Sequence, residues 1–418
     1  MTDRLSRIRA GLPRLAAEWA PALVVSFVLL PIVISKGHVW PYDPNTVDLR
    51  VYHLTVEDMV NGHDIYLTST PGDNLKFIYP PIAAILMTPL LLGPFLLWQI
   101  IWTVLGTGAL LSVLRRIRVP RGLAMGVIAA ALVLAMEPIR TTMGYGQVNT
   151  MLMALVVADL LPDDPDRPRR IPRGALIGLA AAIKLTPLLF VVFAVLIWRR
   201  RVAVMVTVSF VFFTLIAWIL LPKESSEYWH SLGKGEVNTA GPVYVGNQSI
   251  SGALTRWFAE DKPTILTALA IGFAVAFIAT VVAAWWWRRG EKVFAVGLVG
   301  LATCLASPLS WTHHHVWAVI LLIAVTTRSS LPGWAVWLSR AWAIWIALCL
   351  PLAVLPYGSH KEVAYTAGQK LVGNLGPTLG TLLILALAVH AVFALRKGAV
   401  TMRKDEVQRT TTAAPPSE

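Results

Sequence analysis

The sequence predicts an all-α polytopic membrane protein, and three observations carry that expectation. Of its 418 residues, 56% are hydrophobic and only 14% charged, with a mean hydropathy of +0.64, which excludes an ordinary soluble domain. Its basic residues stand in short clusters at the ends of apolar runs. That pattern sets topology rather than binding nucleic acid, so the net charge of +13 names no nucleic-acid partner. Three polar loops, 36–80, 222–263 and 357–376, interrupt the apolar runs. Cys304 and Cys349 both lie inside apolar runs and give no sign of a disulfide framework or a zinc site.

Taken in order, the elements follow from these rules. Arg4, Arg7, Arg9 and Arg14 precede an uncleaved first span, Trp19 to Ile34, and place residues 1–18 in the cytoplasm. The first outer loop carries Asp48, Glu57, Asp58, Asp64 and Asp73, interleaved with Arg50, His53, His63, Tyr52, Tyr66 and Tyr79. Pro81 to Leu114 is too long for one span and too short for two, which predicts an interfacial helix over Ile82–Leu92 and a span over Leu96–Leu114. Arg115, Arg116, Arg118 and Arg121 return the chain to the cytoplasm. Ala124–Pro138 leads out, and Val148–Leu161 leads back to a charged, Pro-rich loop, Asp163 to Arg173.

Gly174–Trp198 is bracketed by Arg173 and by Arg199 to Arg201, with Lys184 and Pro187 in its middle. Basic residues at both ends predict a hairpin of two short helices turning at Lys184-Leu185-Thr186-Pro187. A single span with a misplaced basic end is the alternative. Val202–Leu221, Thr264–Trp287, Val293–Ala306, Val316–Thr327, Ala341–Leu355 and Thr378–Leu395 complete about twelve crossings, counting the hairpin arms. Residues 19–397 thus form the membrane domain, and 398–418 form a cytoplasmic, disordered tail.

With this topology the unusual polar residues collect at one side. They are the loop around Asp48, the turn Gly144 to Asn149, Lys184, the turn Asn247-Gln248-Ser249, and His313 to His315. A carboxylate at Asp48 can act as a general base on an attacking hydroxyl. Lys184, buried between short helices, suits an anionic partner such as a phosphate, or reaches water and backbone carbonyls instead. Three adjacent histidines point about 100° apart on a helix and cannot share one metal ion. One of them can bind or protonate a phosphate leaving group, or cap the turn after Pro308. No HExxH or CxxC motif occurs, and the expectation is neither a metal nor a cofactor. Asn247-Gln248-Ser249 also matches a glycosylation sequon, and Trp285 to Trp287 and Trp311 read as interface-belt aromatics.

Several of these segments also carry a resemblance. Asp48-Leu49-Arg50-Val51-Tyr52, Gly62, Tyr66 and Phe77-Ile78-Tyr79-Pro80-Pro81 resemble the first outer loop of family 87 of the GT-C membrane glycosyltransferases. Gly146-Gln147-Val148-Asn149, Lys184 to Pro187, Asn247-Gln248-Ser249 and Ser307 to His314 follow in the family's order, so that most of the chain up to Trp317 is covered. Within the family the chain is most similar to the actinobacterial, PimE-type α-1,2-mannosyltransferases of phosphatidylinositol mannoside synthesis.

The resemblance implies a GT-C-like fold in the cytoplasmic membrane with an outer-face site. It implies a polyprenyl-phosphate-mannose donor, a glycolipid acceptor and surrounding membrane lipids. Asp48 is the implied catalytic residue, with Asp58 as the alternative ten residues on. His314, His313, Lys184 and Arg256 are the candidates for the donor phosphate and sugar. Arg50, Tyr52, Tyr79, Gln147, Asn149, Asn247 and Gln248 are the candidates for the substrate cavity. Another lipid-phosphate sugar such as arabinofuranose, or a transporter or flippase, is the competing reading, because broken helices and buried polar residues also mark transport paths.

Overall fold

The computed structural model describes residues 2–34, 46–71, 74–163, 169–234, 241–327 and 330–412. Asp73, Arg328 and the side chains of Arg4, Arg7 and Arg9 lie outside the described parts. Among the described residues the secondary structure is helical, with two isolated β-bridges and no longer strand.

The long α1 (Thr2–Ile34) enters the bundle, and α2 (Val47–Val60) follows as the core of the first polar loop. Next come α3 (Pro81–Leu86) and a 3-10 turn, Thr88–Leu91, in place of the single interfacial helix expected over Ile82–Leu92. Pro89 at the start of the 3-10 turn breaks that run. The next elements are α4 (Phe95–Arg116), α5 (Leu123–Ala135), α6 (Glu137–Tyr145) and α7 (Asn149–Leu160). α5 and α6 meet at 81° beside Pro138, so the chain turns sharply there.

α8 (Ala175–Ile183) and α9 (Leu189–Leu196) are the two arms around Lys184. Arg173, just before α8, donates to Asp159 O at 2.7 Å, and Arg199, just after α9, donates to Leu160 O at 2.8 Å. The start of α8 and the finish of α9 therefore lie at the same end of α7, which makes this a hairpin and not a span. Asp159 fixes the entry, its Oδ2 accepting from the backbone N–H groups of Gly174, Leu176 and Ile177 at 2.8–3.0 Å. A buried carboxylate on unpaired N–H groups at a helix start is a strong cap.

The chain continues through α10 (Arg200–Leu220), α11 (Pro222–Lys234), α12 (Ile250–Trp257), α13 (Lys262–Arg288) and α14 (Lys292–Ala306). After α14 come α15 (Ala318–Thr326), α16 (Gly333–Leu348), α17 (Leu350–Val354), α18 (Ala367–Gly373) and α19 (Leu375–Thr412). The centre of the bundle is α14, every residue of which from Phe294 to Leu305 is buried. α13, α15 and α19 pack around it. Its Gly300 lets the indole of Trp317 lie where a Cβ would fall 2.1 Å from a ring atom, which seats the histidine-bearing turn directly on the core.

Among the described residues five helices are long and apolar enough to cross a membrane: Gly11–Leu29 within α1, α4, α10, α13 and Leu375–Lys397 within α19. A sixth is added if the bent pair α5–α6 counts as one. About twelve crossings were expected, and the difference has a plain cause. Asn149–Leu160, Thr186–Leu196, Lys292–Ala306 and Thr312–Thr326 are apolar helices of only 10–17 residues. At about 1.5 Å per residue these reach roughly 15–25 Å, short of a ~30 Å hydrocarbon core. Of the tail expected to be disordered, residues 398–412 continue α19 as helix, through a run with no proline and several strong helix formers, and 413–418 lie outside the described residues.

The charged residues sort by end. Arg115 pairs with buried Glu18, Arg116 with Asp163 at 3.2 Å, and Arg169 with Asp159 at 2.8 Å. All of these lie at the basic end, where α4 and α7 finish. The acid-, amide- and histidine-bearing segments meet at the other end.

Candidate active site

Asp48 owes its position to a tight joint between α2 and α6. Thr46, in the left-handed conformation just before α2, donates from its backbone to Gly144 O at 2.9 Å, and its hydroxyl accepts from Gln99 at 2.6 Å. Gly146 ends α6 with φ +71°, and a Cβ there would fall 2.5 Å from that of Leu49. Only glycine allows both the turn and the contact. The amphipathic α2 then buries Val47, Leu49, Val51, Tyr52, Thr55 and Val56, which sets Asp48 in its first turn at the inner rim of the loop.

Around Asp48 the structure assembles a network from four separate segments. Gln147 hydrogen-bonds the carboxylate, and the Lys184 ammonium lies within electrostatic reach. Tyr52 Oη and Tyr79 Oη lie 3.0 and 2.9 Å from Gln147 Oε1 and 3.1 Å from each other. With its oxygen taken by phenols, the Gln147 amide is left to donate to Asp48. Burial outweighs these partners and lifts the Asp48 carboxyl from its ordinary value to about 6, into the range useful for a general base at neutral pH.

Lys184 links this network to the histidines. Its Nζ donates to Asn149 Oδ1 at 3.0 Å and sits 5.5 Å from the centre of the Tyr79 ring. Asn149 in turn donates from Nδ2 to His313 O at 3.0 Å, and Thr142 donates to the same carbonyl at 2.9 Å. A small cleft opens beside Lys184, lined on its polar part by Asn149, Cys304, Ser307, Ser310 and His314. Leu152, Met153, Pro187 and Trp317 are among its apolar lining. A cation and hydrogen-bonding groups thus stand next to apolar side chains in one cleft.

The three histidines diverge. His314 faces the cleft, whereas His313 packs edge-on against Tyr145 with neither ring nitrogen hydrogen-bonded. His315 turns back, its Nδ1 3.2 Å from Trp311 O. Among the described residues no three histidine, cysteine or carboxylate side chains are grouped as a metal site.

The model of glycosyltransferase family 87 matches residues 77–308, more than half of the chain. The chain belongs to glycosyltransferase family 87. Several curated relatives agree. One from Mycobacterium tuberculosis (strain CDC 1551 / Oshkosh) is 32% identical over 77% of this chain and 76% of its own length. It is named a polyprenol-phosphate-mannose-dependent alpha-(1-2)-phosphatidylinositol pentamannoside mannosyltransferase. Two others, from Mycobacterium tuberculosis (strain ATCC 25618 / H37Rv) and Mycolicibacterium smegmatis (strain ATCC 700084 / mc(2)155), are each 31% identical over 79% of this chain. They cover 82% and 81% of their own lengths and are named as mannosyltransferases of phosphatidylinositol mannoside with the same donor dependence. No solved structure matches the chain at a significant level.

This family 87 glycosyltransferase does not use all its candidate residues at the cleft. Asp58 sits at the far end of α2, about 15 Å along the helix from Asp48. There it meets His63 at 3.3 Å and accepts from Thr68 at 2.5 Å. Arg50 is exposed and lies against the Phe95 ring.

Arg256 is buried, but its guanidinium is committed to Asn374 Oδ1 and to the carbonyls of Val243, Tyr244 and Asn247. It therefore organises a turn instead of facing the Lys184 cleft. Asn247 and Gln248 serve that turn as well, Asn247 donating to Pro242 O and Pro308 O, and Gln248 donating to Val245 O and Gly373 O. Besides Glu18 and Asp159, two more buried carboxylates escaped the sequence reading. Glu137 accepts from Thr312 at 2.8 Å, and Glu362 braces two loops. A lone acid at the edge of an apolar run, as in Met136-Glu137-Pro138, was the only signal for the first.

Proposed function

We propose that this glycosyltransferase moves mannose from a polyprenyl-phosphate-mannose to a hydroxyl of a phosphatidylinositol mannoside, forming an α-1,2 linkage on the outer face of the cytoplasmic membrane. The observation that carries the reading is Asp48, in electrostatic contact with Lys184, whose cleft is lined by both polar and apolar side chains. The relatives' names supply the sugar, the lipid carrier and the acceptor class. The basic helix ends, read by the positive-inside rule, supply the sidedness.

In this mechanism Asp48 takes the proton of the acceptor hydroxyl. The freed oxygen attacks the anomeric carbon, and the bond from that carbon to the phosphate oxygen breaks with inversion. The polyprenyl phosphate leaves with the bonding pair, its charge met by Lys184 and by His314, the histidine that faces the cleft. Lys184 is already oriented by Asn149, so little rearrangement is needed when the phosphate arrives.

Purified protein in detergent, given a panel of polyprenyl-phosphate sugars and a phosphatidylinositol mannoside acceptor, tests the reading. The expected result is transfer from the mannose donor alone. Transfer of arabinofuranose in its place changes the donor, and lipid flux in vesicles without transfer overturns the enzyme mechanism.

A further inference from the structure

Next to the Asp48 network stands a strip of aromatic side chains that the proposed chemistry does not use. Tyr145 packs edge-on against His313, their ring centres 5.2 Å apart. Its hydroxyl lies within electrostatic reach of both Asp48 and Tyr244. Tyr244 makes edge contacts with Trp311 at 5.2 Å and with Tyr357 at 6.2 Å. Accessibility rises along the strip, from half-buried Tyr145 and Tyr244 to Tyr357, which is 36% exposed. The strip thus runs from a ring within electrostatic reach of the carboxylate to one exposed at the surface.

Its outer half is held by groups with no other evident task. Glu362 is 1% exposed, and its Oε1 accepts from the backbone N–H of Val245 at 3.3 Å and of Gly358 at 3.0 Å. These are the residues directly after Tyr244 and Tyr357, so one buried carboxylate sets the spacing of two aromatics that are 113 positions apart in the chain (357 − 244). Arg256 holds Tyr244 O at 2.9 Å, and Tyr365 donates to Pro356 O at 2.6 Å. Such bracing is what a rigid binding surface built on loops requires.

The donor cleft uses other walls, formed by α7, the Lys184 turn and α14, and the two regions share only the 310–314 turn. The acceptor hydroxyl must also reach Asp48, and the remainder of its glycan needs a separate path outward. Aromatic rings match that cargo, because the C–H faces of pyranoses pack on them.

We infer that Tyr145, Tyr244, Trp311 and Tyr357 form the acceptor-glycan subsite, a rail for a chain of several sugars whose terminal residue lies at Asp48. This rests on the proposed transfer to a glycolipid hydroxyl. Tyr244 and Tyr357 contact sugars remote from the reacting atoms, and Glu362 is a positioning residue that acts through them.

Equilibrium binding of a radiolabelled alkyl oligomannoside and of the corresponding alkyl monomannoside, without donor, tests the rail. Tyr357→Ala should weaken oligomannoside binding by roughly two- to tenfold, the range of an aromatic contact. The monomannoside should bind as before, and Tyr357→Phe should restore the oligomannoside. In turnover assays the same variant should raise the acceptor KM and leave the donor KM in place. Glu362→Ala, which removes the shared acceptor, should move in the same direction as Tyr357→Ala.

Wild-type oligomannoside binding in folded Tyr357→Ala overturns the inference, as does equal weakening of both ligands. Tyr357 is exposed, so its variants report even if Tyr244→Ala fails to fold. A protein that binds the oligomannoside through Tyr357 yet transfers no mannose contradicts the proposed donor and leaves the rail standing.

Discussion

Asp48 and Asp58 show how two carboxylates on one short helix acquire different chemistry. Asp48 meets an amide and an ammonium in a buried rim, whereas Asp58 meets His63 and Thr68 at the far end of the loop helix. Asp48→Asn should therefore lower turnover by roughly 10²-fold or more with donor binding largely kept. Asp58→Asn should cost little, and an active Asp48→Asn beside an inactive Asp58→Asn would exchange the two roles. The raised carboxyl also sets a pH dependence. The base works ionised, so activity should rise with pH on a limb centred near the value of about 6 at Asp48. Because the folded-state value lies above the ordinary one of 3.8, folding favours the protonated form, and this group's contribution to stability falls as pH rises from about 4 to 6. A pH–kcat/KM profile of detergent-purified protein, flat from pH 5 to 8, would remove Asp48 as the titrating group.

At the scale of elements, two joints decide whether the site exists. Gly146 lets α6 and α2 touch, and Gly146→Ala adds a methyl group where the Leu49 Cβ already stands 2.5 Å away, in a left-handed conformation. The expected outcome is loss of both thermal stability and turnover, because α2 must retreat and take Asp48 away from Gln147. Thermal unfolding and kcat measured together check this, since unchanged values in both would mean the joint is soft. The second joint is Asp159, which caps the hairpin bearing Lys184 and pairs with Arg169. Asp159→Ala strands three N–H groups at a buried helix start and leaves Arg169 with Asp163 as its remaining carboxylate partner. It should cost about 3 kcal/mol or more of stability, read as a large drop in melting temperature, although it touches no substrate.

At the scale of the whole molecule, sidedness governs whether the proposed reaction meets its substrates. In a background carrying Cys304→Ala and Cys349→Ala, a membrane-impermeant thiol reagent applied from outside should label Asn74→Cys, in the first polar loop. It should not label Arg201→Cys, at the basic end. The reverse pattern would put Asp48 in the cytoplasm and exclude a donor presented on the outer face.

Much of this architecture is legible in the chain, because charge and hydropathy act locally. Basic clusters at Arg173 and Arg199 to Arg201 were enough to imply that the segment between them turns back. The polar segments around Asp48, Gln147, Lys184 and His314 could be assigned to one end from the alternation of basic and polar loops alone. The number of crossings could not, since Lys292–Ala306 and Thr312–Thr326 look like spans until their packing shows them to be short helices enclosed by others. Nor could the role of Arg256, because a guanidinium serves a phosphate or a set of backbone carbonyls equally well. Only the fold brings Val243, Tyr244 and Asn247 to it. Glu362 is the extreme case, since its two partners lie 117 and 4 residues away and nothing in its own neighbourhood announces them. Sequence by itself determined the membrane class, the polar end and the family, which depend on composition and short motifs. Tertiary structure alone decided which carboxylate is desolvated and which cation is already occupied, because desolvation and pairing depend on neighbours that the chain supplies only by folding.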